Sequence, residues 1–314
     1  LSLAMMKLVF FGTPEFAIPS LYALHKSAHE ILAVVTIPDK FSGRGLKKTA
    51  SSIKQAAEKL NYSIYQPLDL NDSDFLSVMK KIEADIFVVV AYQILPEELI
   101  SIPPEGAVNI HASLLPKYRG AAPIHRAILN GENETGVTTF RIQNKVDTGD
   151  ILLQEHYKLN KNITTGEAYD NLAEIGAKLI ITTLNRLFRN QLVPVQQNHK
   201  NATSAAKISS DDCLIHWHDS AEIIHNQIRA YTPRPGAYTS FQNKRVKLFN
   251  SEIKLKDPSS ILLPREIHYD NSCLQVGTGS GIIHIHEIQL EGKRRMPVSQ
   301  FVDGFPQIQG KSFG

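Results

Sequence analysis

The sequence has very little cysteine and no long hydrophobic segment, and each absence excludes a class of protein. Cys213 and Cys273 are the only cysteines among 314 residues, without a second pair at metal-ligand spacing. A disulfide-based scaffold is therefore excluded, and a reducing cytoplasm is favoured. No run of about eighteen apolar residues occurs, so we predict that the chain does not span a membrane. The segment ahead of Lys7 is too short for a signal peptide, and Leu1 indicates a displaced start or a leader remnant.

The chain also carries little net charge. Its 34 lysines and arginines against 31 aspartates and glutamates give +3, which over the whole chain is a weak argument for a nucleic-acid partner. The basic residues are clustered, however, at Lys40, Arg44, Lys47 and Lys48, at Lys244, Arg245, Lys247, Lys254 and Lys256, and at Lys293, Arg294 and Arg295. Charge runs are usually solvated surface, so the clusters alone leave the partner open.

Length and composition predict a globular protein of two domains. The chain is about twice as long as a typical domain, and 42% hydrophobic with 21% charged residues excludes disordered and fibrous classes. From Lys7 to about Gly149, apolar β-branched runs alternate with helical patterns, which is typical of a parallel sheet with crossover helices. We predict strands near 7–11, 31–36, 64–65, 86–90 and 108–110, and helices near 16–27, 51–60 and 167–190. The predicted fold class is α/β, with a doubly wound, mainly parallel sheet.

The last third of the chain has a different pattern. A helix predicted at 220–230 is followed by short alternating segments at 245–249, 273–276 and 282–288, with several glycines between them. Short strands with closely spaced turn signals predict a small β-barrel or sandwich. The polar stretch Gln196–Ser204 between the two patterns is typical of a linker. We therefore predict a first domain at 1–195, a linker at 196–207 and a second domain at 208–314.

The most informative stretch of the chain is the strand-like segment Ala107–His111. Because side chains alternate along a strand, Asn109 and His111 are predicted to project from one face, while the residues between them enter a core. A carboxamide donor beside an imidazole suits acyl-type transfer, in which negative charge develops on oxygen while a proton leaves the nucleophile. The alternative is an exposed strand end with two polar residues, and the spacing leaves both open.

A turn further along the chain offers a carboxylate to this pair. Asp147 stands in the turn Val146–Asp150, after a strand-like segment at 137–142. Either Asp147 caps its own backbone, as in an ordinary Asx turn, or its carboxylate reaches His111 from across the sheet and fixes the imidazole. Spacing alone does not decide between these interpretations.

Two other kinds of site are not supported by their motifs. Pro14 stands where a dinucleotide-binding fingerprint needs its second glycine, which argues against a nicotinamide cofactor. The pairs His216 and His218, and His284 and His286, have strand spacing but lack a third ligand at metal spacing. We therefore assign no metal site.

Six motifs, in order along the chain, resemble the methionyl-tRNA formyltransferase family. They are FFGTPEFA at 10–17, GRG at 43–45, NIHASLLPKYRGAAP at 109–123, ETGVT at 134–138, VDTGDIL at 146–152 and LEGKRRM at 290–296. The NIH and SLLP motifs are shared by formyltransferases in general, so they point to the reaction. The first loop and the C-terminal half point to the acceptor. The resemblance implies a Rossmann-like catalytic domain followed by an OB-like barrel that binds tRNA.

The resemblance also implies an activity and its residues. The reaction is formyl transfer from 10-formyltetrahydrofolate to the α-amine of methionyl initiator tRNA, a one-carbon transfer that serves translation initiation and needs no metal. The matching positions are Asn109, His111 and Asp147 for catalysis, Ser113, Leu114, Leu115 and Pro116 for folate, and Arg44, Lys47 and Lys48 for tRNA. Asn109 would donate to the developing oxyanion and His111 would move the proton, with Asp147 orienting it. We expect a monomer in the bacterial cytoplasm.

Two alternatives remain from the sequence. A formyltransferase for a sugar nucleotide or a purine-pathway amine would use the same central motifs, but it would leave the GRG loop and the basic clusters unexplained. A non-catalytic module that keeps the folate pocket is suggested by the segment 91–96, where Gln93 replaces the usual glycine of the family and the loop is one residue short. Transfer to a small amine would favour the first alternative, and folate binding without turnover the second.

Replacing Arg44 by alanine is expected to harm the use of methionyl-tRNA, seen as a higher KM, more than it harms folate binding. The reason is that an arginine on a basic loop contributes phosphate contacts to an RNA and none to the folate. Steady-state kinetics with each substrate varied in turn, together with a folate-binding titration, check this. Equal damage to both substrates would contradict the assigned role.

Overall fold

The computed structural model describes residues 5–42, 47–254, 262–270 and 272–314. The chain divides into two compact units. The first takes the chain up to Pro123 together with Glu134–Lys158 and Tyr169–Ala205, and the second takes Ile124–Asn133, Leu159–Ala168 and Ala206–Gly314. In the described ranges, no helix is both long enough and apolar enough to cross a membrane.

The elements up to residue 188 alternate between strands and helices. In chain order they are β1 (Lys7–Gly12), α1 (Ile18–His25), β2 (Glu30–Val35), β3 (Lys40–Ser42), β4 (Lys47–Thr49), α2 (Ser52–Lys59), β5 (Ile64–Tyr65), α3 (Ser73–Lys81), β6 (Ile86–Val90), α4 (Glu97–Ile100), β7 (Ala107–His111), α5 (Pro123–Leu129), β8 (Glu134–Arg141), β9 (Ile151–Lys158) and α6 (Thr165–Phe188). The strands and helices predicted for this part of the chain are confirmed to within about two residues at most ends. The strand β8 covers most of the strand-like segment predicted at 137–142, and the helices α3, α4 and α5 and the strands β3, β4 and β9 extend the predicted set.

The first unit is built on a seven-stranded sheet with the order β5-β2-β1-β6-β7-β8-β9. The five strands up to β7 run parallel to their neighbours, and β8 and β9 are antiparallel additions at one edge. The parallel strands are apolar because both faces are covered, as in β6, where every residue is buried. The predicted α/β class with a mainly parallel sheet is confirmed.

Side-chain caps explain where two helices of this unit begin. Ser51 accepts a hydrogen bond from the backbone of Lys54 at 3.0 Å, and α2 follows it. Asp72 accepts from the backbone of Phe75 at 2.9 Å, and α3 follows. Each cap satisfies a backbone N–H that the first helical turn leaves unpaired. Both helices therefore start where the sequence provides a short polar side chain.

The second unit consists mainly of antiparallel strands. Its elements after residue 206 are α7 (Ala221–Ala230), β10 (Tyr238–Phe241), β11 (Lys244–Lys254), β12 (Ile267–Tyr269), β13 (Leu274–Gly277), β14 (Ile282–Leu290), β15 (Met296–Pro297) and α8 (Val298–Asp303). The sheet order is β10-β11-β14-β13-β12, and β15 also pairs with β14. The predicted helix and short strands are confirmed here as well, and the predicted change of architecture in the last third is correct.

A glycine in β8 permits the close approach of two elements that the site needs. A Cβ on Gly136 would collide with the backbone carbonyl of Glu155 on β9 and with the side chain of Leu114. Neither neighbour can move freely, since one is a paired strand and the other belongs to the loop after β7. The ETGVT motif therefore requires glycine at this position for a packing reason.

Replacing Gly136 by alanine is expected to lower the free energy of unfolding by about 1–3 kcal/mol, the usual cost of overpacking a well-packed position. Gly304→Ala is the matched control, because Gly304 has a negative φ and its nearest neighbour lies at an ordinary 3.5 Å. That control should change stability by less than about 0.5 kcal/mol. Chemical denaturation followed by circular dichroism measures both variants. A Gly136→Ala variant that is as stable as the wild type would contradict the packing argument.

Candidate active site

The strand β7 places Asn109 and His111 in the middle of the sheet. Asn109 lies opposite Val89 of β6 and Phe140 of β8, and His111 lies opposite Thr138 of β8. Two residues apart on one strand, they share a face, as the alternation predicts. Asn109 is half-buried and His111 is only 6% exposed. The pair is therefore part of the interior wall of the unit rather than an exposed strand end.

The carbonyl of Tyr118 determines which nitrogen of His111 carries hydrogen. Nε2 of His111 lies 2.8 Å from the Tyr118 carbonyl oxygen. A carbonyl oxygen only accepts, so Nε2 is the donor and, in the neutral ring, Nδ1 keeps its lone pair. This Nδ1 lies 3.6 Å from Oδ2 of Asp147, just beyond hydrogen-bond distance. A proton accepted at Nδ1 would therefore face a carboxylate.

Asp147 is held in position by a hydrogen bond to its side chain and by the backbone conformation of its turn. Its Oδ2 accepts a hydrogen bond from the backbone N–H of Gly120 at 2.8 Å, and its side chain is 11% exposed. Its φ of 53° lies in the left-handed region, which costs an ordinary residue about 1–3 kcal/mol and persists only where the surrounding structure imposes it. The turn also depends on Gly149, because a Cβ there would collide with the carbonyl of Arg141.

Gln197 ties this turn to the loop after β7. Its Nε2 donates to the carbonyl of Asp147 at 3.0 Å and to the carbonyl of Gly149 at 2.7 Å. Its Oε1 accepts from Nε and Nη2 of Arg119, at 3.1 and 2.6 Å. Gln197 is only 3% exposed, so these bonds are made away from water. The side chain thus connects the residue next to Tyr118 with the turn that carries Asp147.

Sequence reasoning missed this supporting group. Tyr118 and Gly120 lie inside the NIHASLLPKYRGAAP motif, which marks this region as part of the site. They contribute backbone atoms, however, and a pattern of side chains does not predict such contacts. Gln197 falls in the stretch 196–207 predicted as a linker, and the polar composition of that stretch carries no signal of burial. The domain boundaries themselves stay a prediction.

The predicted folate-binding segment 113–116 forms a loop whose backbone is already bonded within the unit. Ser113 and Leu115 are buried, and Leu114 and Pro116 are half-buried. Thr138 Oγ1 donates to the carbonyl of Ser113 at 2.6 Å and accepts from the backbone N–H of Leu115 at 3.1 Å. Gln154 Nε2 donates to the carbonyl of Leu115 at 3.0 Å. The loop is therefore fixed in shape by the antiparallel strands β8 and β9.

Two of the three predicted tRNA-binding residues, Lys47 and Lys48, lie at the β3–β4 ladder. Arg44 lies outside the described residues. Lys47 and Lys48 belong to β4, where their backbones lie opposite Ser42 and Phe41 of β3. The assignment of these residues to tRNA binding therefore rests on the resemblance.

The basic clusters of the second unit are partly engaged in stacking. The guanidinium of Arg245 lies 4.3 Å from the ring centroid of Tyr238, and that of Arg295 lies 4.3 Å from the ring centroid of Phe249. Arg295 also forms an ion pair with Glu287. Stacked guanidinium groups keep their charge in solvent while their planes are held in place. These arginines are exposed, and so are Lys244, Lys293 and Arg294.

A cavity of about 720 Å³ opens beside the Asp147 turn. Thr148 and Asp150 line it from the turn, and Arg119, Lys145 and His199 contribute basic or titratable side chains. Its volume is within the range of small-molecule sites. In the described part of the unit, the lining does not include Asn109, His111 or the segment 113–116.

Tyr92 belongs to the loop 91–96 that differs from the family pattern. Its hydroxyl is buried, and within the described residues no group hydrogen-bonds it. Burial raises the pKa of Tyr92 to about 12. The phenol therefore remains neutral throughout the pH range in which an α-amine loses its proton.

Two family models match the chain, one described as "Formyl transferase" over residues 6–184 and one as "Formyl transferase, C-terminal domain" over residues 207–306. Among solved structures, the N-formyltransferase from Helicobacter canadensis, solved with folinic acid and dTDP-3-aminofucose, aligns with a TM-score of 0.69 at 22% identity. That alignment covers 93% of this chain and 100% of the other. The methionyl-tRNA formyltransferase from Clostridium thermocellum aligns with a TM-score of 0.54 at 17% identity, over 79% of this chain and 94% of the other. At these identities the alignments establish the fold alone.

Sequence similarity is much higher to a protein from Pelotomaculum thermopropionicum that is named methionyl-tRNA formyltransferase. The two chains are 42% identical over 310 residues, which covers 98% of this chain and 99% of the relative. The aligned region thus spans nearly the whole chain and includes both units. The chain belongs to the methionyl-tRNA formyltransferase family.

Proposed function

We propose that this protein transfers the formyl group of 10-formyltetrahydrofolate to the α-amine of methionyl initiator tRNA. The observation that carries the proposal is the arrangement of Asn109, His111 and Asp147 in the first unit of a chain with 42% identity to a methionyl-tRNA formyltransferase. Attack of the amine on the formyl carbon forms a C–N bond and a tetrahedral oxyanion. Collapse of that intermediate breaks the bond to N10 of the folate and leaves a formylamide.

Asn109 is the proposed oxyanion donor. Its carboxamide projects from the centre of β7, a strand that is paired on both sides, so the backbone beneath it is rigid. A donor that is held in place before the reaction stabilises developing negative charge without having to reorganise. The half-buried position also limits competition from water, which strengthens the interaction.

His111 is the proposed proton carrier, acting through Nδ1. Because the Tyr118 carbonyl holds the hydrogen on Nε2, the lone pair is on the nitrogen that faces Asp147. When Nδ1 takes the proton of the attacking amine, the carboxylate 3.6 Å away stabilises the imidazolium. The same proton can then be delivered to the departing folate nitrogen. The amine must be neutral to attack, so the rate falls as the pH drops below the pKa of an α-amine, about 7.7–8.0.

The two substrates are assigned to different parts of the chain. The segment 113–116 supplies a fixed surface for the folate, with a shape set by Thr138 and Gln154 rather than by the ligand. The basic loop with Arg44, Lys47 and Lys48 and the exposed basic residues of the second unit supply phosphate contacts, which position an RNA without reading its sequence. We further propose that the protein acts as a monomer in the bacterial cytoplasm.

The test of this function is transfer of radiolabelled formyl from 10-formyltetrahydrofolate to several acceptors in parallel. The acceptors are methionyl initiator tRNA, methionyl elongator tRNA, free methionine and an amino-sugar nucleotide. Transfer confined to the initiator tRNA supports the proposal. Transfer to the amino-sugar nucleotide alone would overturn the assigned acceptor, and folate binding without any transfer would overturn the assigned catalysis.

Replacing Asn109 by alanine is expected to lower kcat by about 100- to 1,000-fold, the usual loss when one oxyanion donor is removed. The KM values should change much less, because the interaction forms mainly in the transition state. Asn162→Ala, at an exposed asparagine of the second unit, is the matched control and should keep full activity. A wild-type kcat in the Asn109 variant would contradict the proposed role of Asn109 as oxyanion donor.

Replacing Gln197 by methionine is expected to lower kcat by about 10- to 100-fold, because the change keeps the size of the side chain but removes the bonds that position the Asp147 turn. The pH profile should also change, since Asp147 would no longer face Nδ1 of His111 at a fixed distance. Gln191→Met, at an exposed position, is the matched control. An unchanged pH profile together with an unchanged kcat would show that the turn does not need Gln197.

A further inference from the structure

Three potential metal ligands converge at the β12–β13 hairpin of the second unit. Asp270 follows β12, Cys273 directly precedes β13, and His284 lies in β14 opposite Gln275 of β13. Sγ of Cys273 is 3.2 Å from Nδ1 of His284 and 3.6 Å from Oδ2 of Asp270. All three donor atoms lie within 4.8 Å of one another.

The fold assembles this group in a way that spacing along the sequence does not reveal. The sequence pattern pairs His284 with His286, yet the partners of His284 lie between β12 and β13. Antiparallel pairing of β13 with β14 brings Cys273 next to His284, and the tight turn between β12 and β13 returns Asp270 to the same place. His286 is instead directed to Glu252, 3.8 Å away, and takes no part.

Two of the three distances between the donor atoms are close to those expected around a tetrahedral zinc ion. Bond lengths of about 2.3 Å to sulfur and 2.0–2.2 Å to nitrogen or oxygen imply edges of about 3.3–3.6 Å between ligand atoms. The edge from Cys273 to Asp270 already has this length, and the edge from Cys273 to His284 is slightly shorter. The edge from His284 to Asp270 is at most 4.8 Å, so these two side chains would move closer together on binding, and a water molecule would take the fourth position.

The carboxylate is oriented for this role by its neighbours. Oδ1 of Asp270 accepts from the backbone and the hydroxyl of Ser272 at 3.0 and 2.7 Å and from the backbone of Cys273 at 2.9 Å. Oδ2 accepts from Nε2 of Gln275 at 2.8 Å and faces the sulfur. Such outer hydrogen bonds fix the direction of a ligand before the metal arrives. The turn therefore prepares one oxygen for coordination and uses the other for its own structure.

Burial and charge also suit a cation. Cys273 is 1% and His284 is 4% exposed, whereas Asp270 is half-buried and reaches the surface. A thiolate, a carboxylate and a neutral imidazole carry two negative charges, which a divalent cation neutralises. Sulfur and nitrogen donors with a single carboxylate match the preference of zinc and disfavour magnesium or calcium.

We propose that Asp270, Cys273 and His284 bind a zinc-type divalent cation and thereby link the β12–β13 hairpin to β14. Binding breaks the S–H bond of Cys273, releases that proton to the solvent and forms the metal–sulfur bond, with no change of oxidation state. A cation bound only by the folded unit stabilises it, by an amount that rises with the logarithm of the cation concentration once that concentration exceeds the Kd. The proposal does not depend on the formyl-transfer function, and either can fail alone.

The test is a cobalt(II) titration of the metal-free, full-length protein, because cobalt replaces zinc and absorbs visible light. The expected result is one equivalent bound, with a thiolate-to-cobalt charge-transfer band and intense visible bands of a tetrahedral site. Addition of zinc should displace the cobalt and remove the bands. Thermal unfolding with zinc and with a chelator should differ, with the higher midpoint in zinc.

Two cysteine variants make the test specific. Cys273→Ser should lose the charge-transfer band, whereas Cys213→Ser should keep it, since Cys213 is equally buried in the same unit but contacts the carbonyl of Ser209 at 3.3 Å. Asp270→Asn keeps the acceptor of the turn and should weaken cobalt binding by at least about tenfold, which provides a readout if Cys273→Ser does not fold. Absence of the band in the wild type, or an unchanged affinity in Asp270→Asn, would overturn the proposal.

Discussion

The position of His111 between the Tyr118 carbonyl and the Asp147 carboxylate is the constraint on which the proposed site depends. The carbonyl keeps the hydrogen on Nε2, and the carboxylate is the group that a proton on Nδ1 would meet. Both partners come from loops, so neither would be in place without further support. The segment that follows β9 and α6 provides it. Arg119 exchanges backbone hydrogen bonds with Thr203 and Ala205 at 2.9 and 2.6 Å, and Gln197 holds the Asp147 turn.

Rigid strands position the side chains of the proposed site, and loops held by hydrogen bonds supply the groups around them. Asn109 and His111 stand on β7, which is paired to a parallel strand on one side and an antiparallel strand on the other, so their directions are fixed by the sheet. The antiparallel strands β8 and β9 do more than extend the sheet, because Thr138 and Gln154 bond the loop 113–116. The second unit carries exposed arginines held over aromatic rings, an arrangement suited to phosphate groups rather than to chemistry on the amine.

Much of this could be predicted from the sequence, and the remainder has physical reasons for being hidden. The period of two in AVNIH placed Asn109 and His111 on one face, and apolar β-branched runs located the parallel strands. The distance between His111 and Asp147 could not be derived, because it depends on a turn in which Asp147 adopts a positive φ. Gln197 was predicted as part of a linker because the composition of a polar segment does not indicate that one of its side chains is buried. Asp270 was not predicted as a ligand, because the fold of the hairpin and not a ligand spacing along the sequence brings it to Cys273 and His284.

The central claim is that His111 keeps an unprotonated Nδ1 beside the Asp147 carboxylate while its Nε2–H is held by the Tyr118 carbonyl. Long-range ¹H–¹⁵N NMR of the histidine-labelled enzyme measures the protonation of each ring nitrogen directly, with His111→Gln used to assign the signal. At a pH where the ring is neutral, the account predicts that hydrogen resides on Nε2, and that Gln197→Met leaves this tautomer unchanged because the Tyr118 carbonyl is still present. A signal showing hydrogen on Nδ1 in the wild-type enzyme would contradict the account.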